Sequence, residues 1–391
     1  MTTLRISSLF LFAVLSASIL LGVCFSCSFA NGQETKKIPI IFSSDLFHPP
    51  NDPDDHYDLA TLFLMQEFDV KAFIFDVTNH YKQPDQVGRV ALEQMAAITG
   101  RPIPPYAVGL RQILVSPDDK GKDQPAEFQG GVELILKSLR ESNEKVVMFL
   151  TGSCIDFAAA YNREPELLRK KVSAVYISAG NGPSGKQDEC NAVLDPNAYR
   201  CLLKSDLPIY WCPCIPNGRY RQATKEDVLA KNDNTYNTCF IIPNQAECLK
   251  NASAQFRNFF NYALTASKED HIPYLDRTPE EVTTKEKWVW STPIFCYAAG
   301  RKIYAKQDGA NITYIACSPQ EAKKLGISNK EVKVFSFDPV RVSETSDSSS
   351  KLPVLEGDLK VKKSSVKVFH YIHPDYNNIL VSVLSELLSE R

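Results

Sequence analysis

Short apolar runs alternate with amphipathic stretches through the first half of the chain. Each apolar run is bounded by polar or glycine-containing turns, which is typical of buried β-strands, here at 38–42, 70–75, 145–150, 172–178 and 208–212. The stretches between them repeat apolar residues every three or four positions, which predicts helices at 54–66, 83–98, 155–161 and 165–171. This alternation predicts an α/β fold with a mostly parallel central sheet flanked by helices, in which 208–212 closes the regular part.

The remaining sequence departs from this rhythm. Residues 213–287 mix turns and polar positions around one strong helix at 252–266, so we expect a helical excursion over the site. An apolar run at 288–299 follows, and the chain finishes with an amphipathic helix at 376–388. We therefore expect a single domain over residues 37–391.

The N-terminus has the pattern of an export signal. Arg5 precedes an apolar stretch at 9–23, and small residues at 28–30 predict cleavage ahead of Asn31. Residues 1–30 are thus predicted to be a signal peptide that directs the protein to the periplasm or the extracellular space. An uncleaved N-terminal anchor is the alternative, because the apolar stretch approaches a membrane-spanning length. No later segment is apolar for long enough to span a bilayer, so the mature form is expected to lie off the membrane.

Charge and cysteine content restrict the partners and the compartment. The 44 Lys and Arg nearly balance the 46 Asp and Glu, so the chain lacks the basic footprint of a nucleic-acid-binding protein. Nine of the 11 cysteines follow the signal, and some should pair in an oxidising compartment. Cys239 and Cys248 flank a short segment and predict a local disulfide. Other pairings, and whether the protein forms a homo-oligomer, stay open.

An acidic loop joins the first strand to the first helix. It contains no Lys or Arg, and the next basic residue is Lys71. Such a group of carboxylates at a strand end favours a hard divalent cation such as Ca²⁺ or Mg²⁺. The alternative is an acidic helix N-terminus, where carboxylates are stabilised by the helix dipole. The carboxylates of the loop and the helix start are Asp45, Asp52, Asp54, Asp55 and Asp58.

Four segments in this order resemble the inosine-uridine-preferring nucleoside hydrolases. That family opens with an Asp-x-Asp-Pro-Gly-x-Asp-Asp loop, whose second Asp matches Asp45 and whose closing pair matches Asp54 and Asp55. Phe75-Asp76-Val77-Thr78-Asn79 is similar to the second strand of the family and its sugar-binding Asn. Phe149-Leu150-Thr151-Gly152 is similar to the segment whose Thr gives a carbonyl to the metal.

The fourth segment, at 189–198, matches the family pattern Glu-x-Asn-x-x-x-Asp-Pro-x-Ala in spacing. The resemblance makes Glu189 and Asn191 ligands of the ribose hydroxyls, and Asn181 a candidate for the 5′ hydroxyl. Asp195 and Pro196 also read as a helix start, with Asp as N-cap and Pro at the first position.

The resemblance implies a Rossmann-like nucleoside hydrolase fold and a Ca²⁺-dependent reaction. Metal-activated water would cleave the N-glycosidic bond of a ribonucleoside or related glycoside through an oxocarbenium-like transition state. In this assignment Asp45 is the general base and a metal ligand. The other implied metal ligands are Asp55, Thr151 through its carbonyl, and Thr292, and the implied sugar ligands are Asp54, Asn79, Glu189 and Asn191.

Two departures from the family affect the metal and the leaving group. Ser43 replaces the first Asp of the loop, which is also longer. Ser291-Thr292-Pro293 stands where the family has His-Asp-Pro, so a proton donor becomes Ser291 and a carboxylate ligand becomes Thr292. Asp52 or Asp58 could replace the lost ligand, and His48 could supply an acid or be a surface residue.

These departures leave a second hypothesis open. The protein could be a secreted sugar- or nucleoside-binding protein that has lost catalysis. The aromatic residues near the altered motif do not separate the two hypotheses, because they fit either a stacking platform or the core. They are Trp288, Trp290 and Phe295.

Overall fold

The strands are dominated by aliphatic and aromatic residues, and most strands in the centre of the main sheet are buried on both faces. The computed structural model describes residues 36–50, 53–78, 88–216, 224–226, 235–345 and 352–389. Its strands are β1 Ile38–Ser44, β2 Phe68–Phe75, β3 Tyr106–Val108, β4 Val146–Thr151, β5 Val172–Ser178, β6 Ser184–Lys186, β7 Ile209–Cys212, β8 Phe240–Ile242, β9 Lys287–Val289, β10 Lys302–Asp308, β11 Asn311–Cys317, β12 Phe335–Pro339, β13 Arg341–Thr345, β14 Val354–Asp358 and β15 Val366–Tyr371.

The helices lie between these strands and bury one face each. They are α1 Asp54–Leu64, α2 Arg89–Thr99, α3 Gly130–Glu141, α4 Ile155–Arg163, α5 Pro165–Lys171, α6 Cys190–Leu194, α7 Pro196–Leu203, α8 Gln245–Cys248, α9 Ala254–Leu264, α10 His271–Tyr274, α11 Thr292–Ala298, α12 Pro319–Lys324 and α13 Tyr376–Leu388.

The main sheet has eight strands in the order β12-β15-β7-β5-β4-β1-β2-β3. Its neighbours are parallel from β15 to β3, and β12 is antiparallel at one edge. The predicted mostly parallel α/β sheet is therefore confirmed.

The prediction that the strand at 208–212 closes the regular part is wrong. β15 lies parallel to β7 and registers Val366 with Ile209, so the sheet continues with a strand from the end of the chain. β15 satisfies backbone groups that β7 would otherwise leave open at an edge.

Helices cover both faces of the sheet. Along β1, Ile40 and Phe42 belong to a core shared with α1, α2 and α13, whereas Ile41 belongs to a second core shared with α3, α4 and α7. Alternate residues of a strand point to opposite faces, so this division follows directly from the strand geometry. The apolar run at 38–42 thus lies at the centre of a three-layer structure.

The excursion after β7 is helical in its described part, and it also contains a small sheet. Its main helix, α9, falls within the predicted 252–266, and β8 pairs antiparallel with β9. The C-terminal helix α13 holds this region through Asn377, whose Oδ1 accepts from the Ile241 amide at 2.7 Å and whose Nδ2 donates to the Ile241 carbonyl at 3.1 Å. These bonds join β8, and with it the paired strand β9, to α13.

The predicted Cys239–Cys248 disulfide is wrong. Both thiols are free, as are the other cysteines of the described residues. Cys239 packs with Ile241 near the indole rings of Trp288 and Trp290, whereas Cys248 belongs to the large core. The eight residues between them include β8 and all but the last residue of α8, and the two side chains enter different clusters. Among the described helices, we find none with the length and apolar character needed to cross a bilayer.

Candidate functional site

Most of the predicted site residues lie at the carboxyl ends of neighbouring parallel strands. Asp45 follows β1, Thr151 ends β4, and Glu189 and Asn191 lie in the connection after β5. This edge of an open α/β sheet is where ligand sites form. Asn79 lies outside the described residues, and so does Asp52.

The carboxylates of the acidic loop converge at the first turn of α1. Burial raises the pKa of Asp54, and the charges of Asp45 and Asp58 raise it further. Burial also raises the pKa of Asp55, together with the charges of Asp54 and Asp58, while hydrogen bonds with the side chains of Ser44 and Asp45 lower it. Two acids within hydrogen-bonding distance and two more nearby make a site that favours a bound cation.

Two hydroxyl groups from the main sheet point at Asp55. Ser44 Oγ donates to Asp55 Oδ1 at 2.6 Å, and Thr151 Oγ1 approaches the same oxygen at 3.4 Å. The Thr151 carbonyl, the expected metal ligand, accepts a long bond of 3.4 Å from Asn191 Nδ2. The loop, β4 and the motif after β5 therefore meet around one carboxylate.

The helix-start interpretation of the acidic loop is correct only as to position. Asp54 and Asp55 occupy the first turn of α1, and their backbone amides lower the pKa of Asp54. The N-cap position itself is Pro53, which offers no side-chain acceptor. The acidic side chains thus lie between the N-terminus of α1 and the strand ends. Helix capping alone does not explain why so many carboxylates gather there.

Glu189 is buried and is held by backbone amides. Its carboxylate accepts from Gly180 at 2.7 Å and from Asn191 at 3.0 Å, and it caps α6. Burial raises its pKa even so. The Asn191 side chain donates to the Ser178 carbonyl at 2.9 Å, so both motif residues are oriented at the end of β5.

The neighbours of this motif have structural roles. The Asn181 Oδ1 accepts from the amides of Asp188 and Glu189, each at 2.9 Å. This Asn supports the turn that carries Glu189. The interpretation of Asp195 and Pro196 as a helix start is confirmed, because Asp195 caps α7 and Pro196 is its first residue.

Asp76 is a site residue to which sequence reasoning gave no role. It follows β2 and is buried, its carboxylate accepts from the Ser153 amide, and burial raises its pKa. A Cβ at Gly152 would collide with this carboxylate. The signal was present in the sequence, since an acid directly after a buried strand occurs in both Asp45 and Asp76.

The altered motif at Ser291 and Thr292 lies against α1. Ser291 Oγ donates to Asp58 Oδ2 at 2.6 Å, and both residues are buried. Burial raises the pKa of Asp58 to about 7, and the bonds from Ser291 oppose this shift. The buried Thr292 hydroxyl has no hydrogen-bond partner among the described residues.

Lys287 is a second residue that the sequence analysis missed. It is 6% exposed at the start of β9, and its Nζ lies 4.0 Å from Asp54 Oδ1. Burial lowers the pKa of this lysine to about 7. The available signal in the sequence was a Lys directly before an apolar run. A lysine next to buried residues is expected to have a partner, because lysine is almost never fully buried unless it is paired.

The remaining candidates divide between the core and the rim. Phe295 is fully buried and makes edge contacts with Phe42 and Phe149, so its core interpretation is confirmed. His48 is partly buried, its Nε2 donates to the Ser267 carbonyl at 2.8 Å, and its ring stacks on Tyr262. The surface-residue interpretation of His48 is therefore wrong, because the longer loop packs this ring against the excursion.

The donor chemistry of the site fits a hard cation. No group of three or more His, Cys, Asp or Glu in the described part of the chain forms a metal cage. The predicted ligand set contains only two carboxylates, Asp45 and Asp55, and its other oxygens belong to threonines. The unpartnered buried hydroxyl of Thr292 and the adjoining carboxyl groups of Asp45 and Asp55 are oxygen donors of the kind that Ca²⁺ takes in proteins.

A family model for inosine-uridine preferring nucleoside hydrolases matches residues 51–289, more than half of the chain. The chain belongs to this family. The resemblance given by the four motifs is confirmed. The match includes the acidic first turn of α1 and the motif after β5, and it reaches β9.

Relatives of this nucleoside hydrolase family member are distant. A pyrimidine-specific ribonucleoside hydrolase RihA from Citrobacter koseri is 30% identical over 190 residues, which cover 44% of this chain and 58% of that relative. The RihA of Enterobacter sp. gives the same identity and shares. The alignments thus span less than two thirds of the curated relatives. A solved structure, the purine-preferring ribonucleoside hydrolase from Gardnerella vaginalis, aligns with a TM-score of 0.50 at 15% identity, covering 90% of this chain and 99% of that one, and supports the fold.

Proposed function

We propose that the protein is an exported hydrolase that cleaves the N-glycosidic bond of ribonucleosides or a closely related glycoside. The observation that carries the proposal is the convergence of Asp45, Asp54 and Asp55 beside Thr151 and the Glu189-x-Asn191 motif. The family and the names of the relatives support the same chemistry. A small-molecule nucleoside or glycoside is the proposed substrate.

In this proposal one side chain acts on the attacking water and the others bind the sugar. Asp45 would accept the proton of the attacking water, because it lies at the strand end next to the Asp55 carboxyl. Asp54, Glu189 and Asn191 would bind the sugar hydroxyls and limit the orientations of the substrate. Asn79 would complete this set, as the sequence motif predicts.

We include Ca²⁺ in the proposal as the resident cofactor. Asp45, Asp55, the Thr151 carbonyl and the Thr292 hydroxyl would hold it. When bound, the ion would lower the pKa of a water molecule and fix its position. With one carboxylate fewer than in the family pattern, we expect a lower affinity for Ca²⁺.

The altered motif affects the departure of the leaving group. Ser291 replaces the family His, and its hydroxyl proton is already donated to Asp58 at 2.6 Å. The leaving base would therefore depart without help from this residue. The same observation favours the second candidate function, a secreted sugar- or nucleoside-binding protein without catalysis.

Hydrolysis assays separate the two candidates. The purified protein is incubated with p-nitrophenyl riboside and a panel of natural nucleosides, with added Ca²⁺ or with a chelator. Calcium-dependent release of p-nitrophenol supports the hydrolase even where the leaving base needs an acid, because this leaving group needs none. Tight nucleoside binding by calorimetry without product supports the binding protein. If the protein shows no turnover and no binding, both candidate functions are contradicted.

Replacing Asp55 by Ala tests the metal assignment. We expect turnover to fall by at least about a thousandfold and Ca²⁺ binding by calorimetry to be lost together, since Asp55 is the principal ligand. Asp69→Ala is a matched control, because Asp69 lies on β2 with its side chain 43% exposed, paired to Lys71. An Asp55→Ala variant with unchanged activity would contradict the assignment.

Export is proposed from the signal pattern alone, which lies outside the described residues. N-terminal sequencing of the mature protein tests it. A start at Asn31 supports export by a cleaved signal, and a retained Arg5 supports an uncleaved anchor.

A further inference from the structure

We infer that Lys287 is a positioning residue that anchors the Asp54 carboxyl group for sugar binding. This inference rests on the proposed function, in which Asp54 binds a sugar hydroxyl. It concerns a residue outside the four motifs, and it is carried by the placement of the lysine beside the first turn of α1.

The first step is the contact itself. Lys287 Nζ and Asp54 Oδ1 are 4.0 Å apart, and the Lys287 side chain is only 7% exposed, whereas that of Asp54 is 30% exposed. The lysine thus approaches Asp54 from the protein interior. The acid keeps an exposed portion that a ligand can reach.

The second step is the rigidity of the lysine backbone. Tyr57 in α1 donates its hydroxyl to Gln245 Oε1 at 3.0 Å, and Gln245 Nε2 donates to the Lys285 carbonyl at 3.1 Å. β9 also pairs with β8, where Lys287 registers with Ile242. The strand that carries Lys287 is therefore tied to α1, the helix that carries Asp54.

The third step is the need for an anchor. Asp54 lies close to the charges of Asp45 and Asp58, which repel its carboxylate. Without a nearby cationic group, this side chain would tend to rotate away from its acidic neighbours. Lys287 opposes that rotation on the inner side, so Asp54 is held toward the incoming sugar.

A double-mutant cycle tests this inference. The variants are Lys287→Met, Asp54→Asn and the combination, and Lys285→Met is the matched control because Lys285 is exposed two residues earlier on the same segment. We expect Lys287→Met to raise KM for a riboside by about tenfold with kcat within about twofold, and to have no further effect when Asp54 is already Asn. Lys287→Arg should restore most of the KM, since a cationic group returns.

Substrate analogues separate positioning from a general structural effect. With 2′-deoxy and 3′-deoxy nucleosides, the analogue that lacks the hydroxyl bound by Asp54 should lose its sensitivity to both Lys287→Met and Asp54→Asn. Equal KM effects on all substrates, or additive effects in the double variant, would overturn the inference.

A readout without turnover keeps the inference testable if the proposed function fails. The thermal midpoints of the wild type, the two single variants and the double variant report whether the two side chains are coupled. If the wild type cleaves and binds no riboside, the proposed function fails, while a non-additive change in midpoint still supports anchoring of Asp54. Additive midpoints would overturn the anchoring whatever the activity.

Discussion

Ser291 and Asp58 show how one hydroxyl group changes the character of the site. The sequence alignment predicts that this serine stands where the family has a His, and its hydroxyl donates to a buried carboxyl group at 2.6 Å. The effect of the substitution on proton supply to the leaving base can be inferred from sequence. The bond to Asp58 cannot, because the partners are separated by 233 residues.

Replacing Ser291 by Ala should destabilise the fold. Asp58 is 7% exposed and would lose a donor, which costs about 1–2 kcal/mol of the free energy of unfolding for a buried acceptor. Urea titration at neutral pH measures the loss. Ser343→Ala is the control, since its exposed hydroxyl makes only a long bond of 3.4 Å, and equal stabilities of the two variants would contradict the role of Ser291.

At the scale of elements, short helices position the Glu189-x-Asn191 motif. Glu189 is the N-cap of α6 and Asp195 is the N-cap of α7, and both carboxylates accept hydrogen bonds from backbone amides of the first turn. The start of α7 could be predicted because Asp followed by Pro is a local signal. The burial of Glu189 could not, because it depends on the Gly180 amide of the preceding turn.

The pH dependence of stability should report the cap of α7. Burial raises the pKa of Asp195 to about 7 from an ordinary value of 3.8, so the folded state binds a proton that the unfolded state releases. The stability from this group is fully present below about pH 4 and is lost as the pH rises through about 7. Urea titrations between these pH values should show a shallower decline for Asp195→Asn than for the wild type.

The Asp195→Asn variant has a separate cost that does not depend on pH. The Leu114 amide donates to Asp195 Oδ2 at 2.8 Å, and an Asn amide cannot accept that bond while its other end caps α7. We expect a constant loss of about 1 kcal/mol in addition to the flatter slope. Parallel curves for the two proteins would show that Asp195 does not titrate in this range.

For the whole molecule, regular periodicity determined what could be predicted. The strand at 172–178 and the helix at 376–388 have the predicted bounds, because each is a continuous pattern of one period. The place of β15 in the sheet and the separation of Cys239 from Cys248 were not predictable locally. The place of β15 depends on pairing with a strand that is distant in sequence. The separation of the two cysteines depends on the different clusters into which their side chains pack.

Calcium should stabilise the whole protein in a pH-dependent way. Burial and neighbouring charges raise the pKa values of Asp54 and Asp55, so at low pH protons compete with the ion. At a fixed Ca²⁺ concentration of about 100 times the Kd measured above neutral pH, we expect about 2.7 kcal/mol of added stability at that pH. The same concentration should add much less stability near pH 5, because the Kd is higher there. Differential scanning fluorimetry measures the thermal midpoint with Ca²⁺ or chelator.

The Asp55→Ala variant is the control for this stabilisation. It should show the same midpoint with Ca²⁺ and with chelator. A wild-type midpoint that ignores Ca²⁺ at every pH would contradict a resident calcium ion, independently of any assay of turnover.

The place of β15 in the sheet makes the order of synthesis important. This strand is the last of the chain, yet it lies between β7 and β12. A nascent chain that has produced β7 therefore carries an open, apolar sheet edge until the ribosome has made residues 366–371. Translation that stops before this point would release a product able to pair with other unfinished chains, so aggregation is the expected fate of a prematurely terminated protein.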